Sequence, residues 1–188
     1  MQNVLILILI PFSTLLANWP QYHGPLFDKS TTNLISPNSA GLLNAPLSWT
    51  ASTPLGFSSF STNANSGFTL VAEEDEDGLL RELCICLDLL TGERLWETWL
   101  GVANYGHSGG NAGTPDNSGG DGPRSTPTIS KGQVFVYDSS MILYCLSAKS
   151  GKTIWQVDVI QEYNGKNITW KNASSPLVVN DLVIVIGG

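Results

Sequence analysis

Apolar residues along this chain come in short bursts, separated by polar turn-formers, and the bursts recur in a fixed order. Between Ser125 and Val159 they read as four strands, Ser125–Ser130, Gln133–Asp138, Ile142–Ser147 and Thr153–Val159. Lys131-Gly132 supplies the first turn and Ala148–Lys152 the third. An earlier stretch has the same form, with strands expected at Phe57–Phe60, Phe68–Glu73, Leu80–Asp88 and Leu95–Leu100. Its acidic run Glu73–Asp77 reads as a solvated loop tip. Leu83-Cys84-Ile85-Cys86-Leu87 is apolar on both faces, so that strand should be covered on both sides.

The similarity extends to individual positions. Cys86-Leu87-Asp88-Leu89-Leu90-Thr91-Gly92-Glu93-Arg94-Leu95-Trp96 is echoed by Cys145-Leu146-Ser147-Ala148-Lys149-Ser150-Gly151-Lys152-Thr153-Ile154-Trp155. A second echo joins Ser125-Thr126-Pro127 to Ser174-Ser175-Pro176, each followed by an aliphatic strand, Val134-Phe135-Val136 and Val183-Ile184-Val185. The intervals, about 59 and 49 residues, are those of repeat architectures. Gly92 and Gly151 each end a hairpin turn, where positive φ and a bulge are expected. The preceding Thr91 or Ser150 can bind turn amides through its hydroxyl. Trp96 and Trp155 then fall on the next strand, in equivalent and mostly buried places between neighbouring sheets. Four-stranded antiparallel units repeated in this way predict an all-β fold, a partial β-propeller of about two and a half blades with almost no helix.

Composition narrows the function. The 188 residues carry nine Lys and Arg against sixteen Asp and Glu, a net charge of −7, which disfavours a nucleic-acid binder. Three Cys cannot form a fully paired disulfide framework. The aliphatic run Val4–Ile10, extended weakly to Ala17, is shorter than the roughly 20 residues of a membrane span. It suits the apolar region of a signal peptide over residues 1–17, leaving 18–188 as the propeller domain and a periplasmic or secreted location; a buried first strand is the other reading.

Thr91-Gly92-Glu93-Arg94-Leu95-Trp96 and Ser150-Gly151-Lys152-Thr153-Ile154-Trp155 resemble the repeat motif of pyrroloquinoline-quinone (PQQ)-type β-propellers. Trp19-Pro20-Gln21-Tyr22-His23-Gly24-Pro25 is similar to the opening of exported bacterial members, and Gly120–Thr128 matches a segment common among them. Leu146-Ser147-Ala148 departs mildly from the family's Leu-Asp-Ala. The resemblance implies a ring of seven or eight blades, of which this chain would be a part. It also implies that Leu47-Ser48-Trp49 is the segment that closes such a ring. Quinoprotein dehydrogenases and a non-enzymatic outer-membrane-protein assembly lipoprotein both belong to the family, so the fold leaves the function open.

Candidate chemistry is sparse. Cys84 and Cys86 share one strand face about 6.6 Å apart, near the upper limit for a disulfide; they read as buried thiols rather than a bridge or a metal pair. The Gly-, Asn- and Asp-rich segment Gly101–Pro123 lacks the ligand pattern of a calcium loop. His107, Asp121 and Arg124, with Trp170, are candidates for a ligand surface, Asp121 and Arg124 alternatively pinning the loop to the next blade. The two histidines, His23 and His107, are too few for a histidine metal site. Asn167-Ile168-Thr169 and Asn172-Ala173-Ser174 fit the glycosylation pattern by coincidence of sequence.

Two functions follow. The first is an exported, non-catalytic binding or scaffold module for a protein or carbohydrate partner. It needs no cofactor, has no transmembrane segment after cleavage, and could self-associate through an exposed sheet edge. The alternative is an N-terminal fragment of a PQQ-dependent alcohol or sugar dehydrogenase, which would require PQQ with calcium.

Overall fold

The computed structural model describes residues 18–30, 47–103, 105, 122–168 and 171–188; the signal-peptide reading of residues 1–17 lies outside them. Strands β1 (Ser61–Thr62), β2 (Ser66–Glu74), β3 (Leu80–Asp88) and β4 (Arg94–Val102) form one sheet in sequential order. Strands β5 (Thr128–Ser130), β6 (Gln133–Tyr137), β7 (Ile142–Ser147) and β8 (Thr153–Asp158) form a second. A hairpin of β9 (Leu177–Val179) and β10 (Leu182–Ile184) makes a third, and each pairing in the three sheets is antiparallel. One helical turn, α1 (Val159–Tyr163), follows β8, with Asp158 Oδ1 accepting the Gln161 N–H at 3.0 Å as its cap.

The innermost strand of the first sheet is not where the pattern put it. Phe57–Phe60 leaves the ladder and the strand is Ser61–Thr62. Within that segment the Phe57 N–H donates to the Pro123 carbonyl at 2.9 Å, and the Ser58 hydroxyl, not a backbone carbonyl, accepts the Leu70 N–H at 3.2 Å. Once a side chain has taken a ladder bond, the backbone there no longer pairs. Phe57 and Phe60 are correspondingly exposed.

The echoed turns are built alike. Gly92 and Gly151 have φ of 77° and 70° and donate to the carbonyls of Asp88 and Ser147, both at 2.8 Å. The strand pairing slips by a bulge at Cys86/Leu87 and again at Cys145/Leu146. The Thr91 and Ser150 hydroxyls accept the N–H groups of Glu93 and Lys152 at 3.2 and 3.4 Å. The acidic tip is ordered as well as polar: Asp75 accepts from Asp77 and Leu79 N–H groups and from Arg81 Nε at 2.6 Å. Its hydrogen bond to Arg81 holds the carboxyl below the usual range.

Successive sheets are joined by seated tryptophans. The Trp96 indole lies over Gly151, where a Cβ would come within 2.6 Å of the ring, and its Nε1 donates to the Ala148 carbonyl at 3.1 Å. Trp49 repeats this on the first sheet, over Gly92 with Nε1 donating to the Leu89 carbonyl at 2.9 Å. Leu47-Ser48-Trp49 thus supplies a third copy of the repeated tryptophan, seated on the first sheet. Trp155 has the same place in its own sheet: its ring is 6.0 Å from Phe135, as Trp96 is 5.7 Å from Phe68. It is not mostly buried as expected, being 38% exposed, because no glycine turn among the described residues lies under it.

Between the first two sheets the core consists of Phe68, Leu70, Cys84, Cys86 and Leu100 against Val134, Val136, Tyr144 and Leu146. The opposite face of β3 buries Leu83, Ile85 and Leu87, so this strand is covered on both sides. Tyr137, Met141, Leu143 and Val159 meet Val183 and Val185 at the next junction. All three cysteines are free and buried, and burial pushes the Cys84, Cys86 and Cys145 thiols up, leaving them inert.

The second echo has its own physical basis. The hydroxyl preceding each proline accepts a backbone N–H from the unit before it: Ser59 N–H to Thr126 Oγ1 at 3.2 Å, then Thr126 N–H to Ser175 Oγ at 2.9 Å. Proline lacks an N–H and cannot extend a ladder there. The repeated Thr or Ser therefore relays one bond from sheet to sheet.

Candidate functional site

Residues Trp19–Ser30 form a strap over the inner strands. Trp19 exchanges backbone hydrogen bonds with Thr62, and the Ile129 N–H of β5 donates to the Pro20 carbonyl at 2.7 Å. Beyond this anchor the chain turns sharply at Gly24 (φ 78°), against the Trp19 ring, and the Gln21 side chain closes the turn onto the Gly24 carbonyl at 2.8 Å. The turn presents Tyr22 and His23, their rings 4.7 Å apart.

The strap forms one wall of an open cleft of about 610 Å³. Tyr22, His23 and Phe27 stand on that wall, Phe57 and Ser59 come from the segment before β1, and Arg124 from the segment before β5. Ala173–Leu177, leading into β9, completes it. The lead-in segments of all three sheets therefore converge on one cleft, fixed by the hydroxyl relay, with Ser59 and Ser175 on its wall. Exposed aromatic rings, hydroxyls and one guanidinium suit a partner with apolar groups and hydrogen-bonding or anionic ones.

Arg124 was a candidate from sequence, and it lines this cleft, with its guanidinium carbon 5.7 Å from the centre of the Tyr105 ring. His107, Asp121 and Trp170 lie outside the described residues. Tyr22, Phe27 and Phe57 were missed as site residues. Their signal was the density of aromatics in Trp19–Phe27, with Phe57 hidden inside a misplaced strand. Both sequon asparagines turn inward: Asn167 Nδ2 donates to the Ser139 carbonyl at 2.7 Å and Asn172 Nδ2 to the Asp138 carbonyl at 3.1 Å.

Among the described residues no group of three or more His, Cys, Asp or Glu is placed to hold a metal ion. Calcium takes roughly six to eight oxygens, usually including carboxylates, and among the described residues lining the cleft there is no Asp or Glu. These described residues alone do not supply the oxygen set of a calcium site.

The family model described as outer membrane protein assembly factor BamB, a PQQ-repeat model, matches residues 80–188, which hold both glycine turns and both echoed tryptophans. The chain belongs to this family of PQQ-type repeat β-propellers. Among solved structures, quinohemoprotein alcohol dehydrogenase from Comamonas testosteroni is similar over 89% of this chain at 18% identity and a TM-score of 0.67. BamB from Moraxella catarrhalis is 16% identical over 64% of this chain and 35% of its own, with a TM-score of 0.32 that supports no detailed comparison. This PQQ-type repeat chain spans 22% of the dehydrogenase's length, and at such identity the likeness concerns fold alone. No curated protein matches. Among the described residues no helix is long and apolar enough to cross a membrane.

Proposed function

We propose that this chain is an exported, non-catalytic binding or scaffold module, and that it engages a protein partner through the cleft between the strap and the lead-in segments. The observation that carries this reading is the convergence of Tyr22, Phe27, Phe57 and Arg124 on one open cleft. Aromatic and arginine side chains dominate protein-binding surfaces because they bury large area with few rotatable bonds to freeze. The family's description as an assembly factor is in keeping with a protein partner. A carbohydrate would use the same aromatic faces and is an outcome of the test. The module works without PQQ or calcium, in keeping with the aromatic, hydroxyl and guanidinium character of the described cleft lining.

The test is a photo-crosslinking amino acid at Phe57 in the producing cell, with Leu90, exposed on a turn outside the cleft, as control. One discrete protein adduct from Phe57, absent from Leu90 and lost on Arg124→Ala, is expected. Equal labelling at both positions overturns the assignment of the cleft. Saturable quenching of tryptophan fluorescence by PQQ with calcium, accompanied by alcohol oxidation, overturns the non-catalytic reading. Retention on an oligosaccharide column that Arg124→Ala abolishes overturns the protein partner in favour of a glycan.

A further inference from the structure

Two carboxyls outside the cleft are sealed between the first and second sheets. Glu82 near the start of β3 and Asp138 just after β6 are each 1% exposed. They are linked through the backbone, since the Ser139 N–H donates to Glu82 Oε2 at 3.1 Å. Asp138 Oδ1 accepts the Ser140 and Ile142 N–H groups at 3.0 and 2.8 Å, and Oδ2 faces the Tyr144 hydroxyl at 3.4 Å. A Cβ on Gly101 of β4 would stand 2.9 Å from that Oδ2, so β4 closes the site from the first sheet.

Among the described residues the titratable and charged groups facing the pair are few. Tyr137 of β6 and Tyr144 of β7 both feel the Asp138 charge; Tyr105 and the Arg124 guanidinium 5.7 Å from its ring centre come from the connection between the sheets. Arg124 is the cation whose charge reaches Glu82. Among the described residues, two ionised carboxyls against one guanidinium leave a negative charge unmatched where both acids are shut away from water, an arrangement that burial strongly disfavours. A retained proton removes the imbalance.

We propose that Glu82 and Asp138 together hold one proton at neutral pH, and that losing it loosens the junction between the first two sheets. Burial pushes both carboxyls up, Asp138 to about 7, and the charge of Glu82 raises Asp138 further. The folded pair binds the proton more tightly than unfolded carboxyls do. Its contribution to stability is therefore complete below the ordinary carboxylate range and is lost as pH rises through about 7. Arginine alone cannot restore the balance at higher pH, because its charge does not change.

Carbon-13 NMR of the side-chain carboxyls in the full chain reads this directly. One titration step near pH 7, absent from Asp138→Asn, is expected, and in Glu82→Gln that step should move to lower pH by about one unit, a tenfold change in proton affinity. If all carboxyl resonances finish titrating below about pH 5, or Glu82→Gln leaves the neutral step in place, the shared proton is refuted. Loosening is read from hydrogen-exchange protection at the Ser139 amide. It should fall between pH 6 and 8 in the native chain and stay level in Glu82→Gln; a level profile in the native chain refutes the coupling to the junction. Should Asp138→Asn fail to fold, the native and Glu82→Gln titrations still decide the matter.

Discussion

Trp96 and Trp155 occupy the same place in successive sheets but not the same surroundings. Trp96 rests on Gly151 and donates to Ala148, half-buried between two sheets; Trp155 packs on Phe135 but is 38% exposed. The pair separates two contributions that sequence similarity merges. One is the contact of the ring with its own sheet, through Phe68 or Phe135. The other is the seat supplied by the following unit, a glycine with no Cβ and a carbonyl that takes the indole N–H. A repeated residue is thus half a contact, and its energetic worth depends on the repeat that follows.

The sharpest test of that difference is truncation of each ring. Trp96→Ala should cost about 3–5 kcal/mol, as for other buried aromatics. Trp155→Ala should cost roughly 1–2 kcal/mol, since much of its apolar area already meets water. Paired urea unfolding curves decide it, and equal losses would mean that the seat contributes little. A smaller effect is expected from filling the seat. Gly151→Ala introduces a side chain at positive φ and against the Trp96 ring, costing about 2–4 kcal/mol. Gly132→Ala has a similar φ but open space around it, so about 1–2 kcal/mol is expected. If the two variants melt together, backbone conformation alone explains the glycine.

The smallest contrast lies within the turns themselves. Asp88 Oδ1 accepts the Leu90 and Thr91 N–H groups at 2.7 and 2.9 Å, a service that Ser147 does not provide among the described residues. Ser147→Asp should therefore stabilise the second sheet, and Asp88→Ser destabilise the first, each by about 0.5–1 kcal/mol. Thermal melts of both variants measure it, and a stabilisation absent from Ser147→Asp would show that the second turn is already satisfied.

Local chemistry was legible where the residue itself dictates the backbone. Gly92, Gly151 and the hydroxyls before them announced the bulged turns, and alternating apolar runs placed β6 and β7 to within a residue. Long-range partners were not legible. The seat under Trp96 lies some fifty residues onward, and Trp49 has Ala45 rather than a glycine four residues before it, so the motif does not reveal it as another copy. Phe57–Phe60 looked like a strand because its residue types favour one, yet the Ser58 hydroxyl takes the ladder bond. Nothing in the sequence singled out Glu82, which follows Arg81 at the start of an otherwise apolar strand. Asp138 read as the last residue of a strand, and only the meeting of two sheets makes them a pair. Of the cleft, Arg124 alone was foreseen, because the strap and the lead-in segments are distant in sequence.

The seating of each tryptophan on the turn of the next unit also imposes a schedule. A chain delivered N-terminus first, from a ribosome or through a membrane, presents Trp96 well before Gly151 exists to receive it. At roughly 5–20 residues per second the wait is about 3–11 s, far longer than a hairpin takes to form. Throughout synthesis one indole would always be waiting at the growing front, sheltered only by its own sheet. The newest unit is then the vulnerable one, open to a chaperone or to a wrong neighbour, while every unit behind it is already locked.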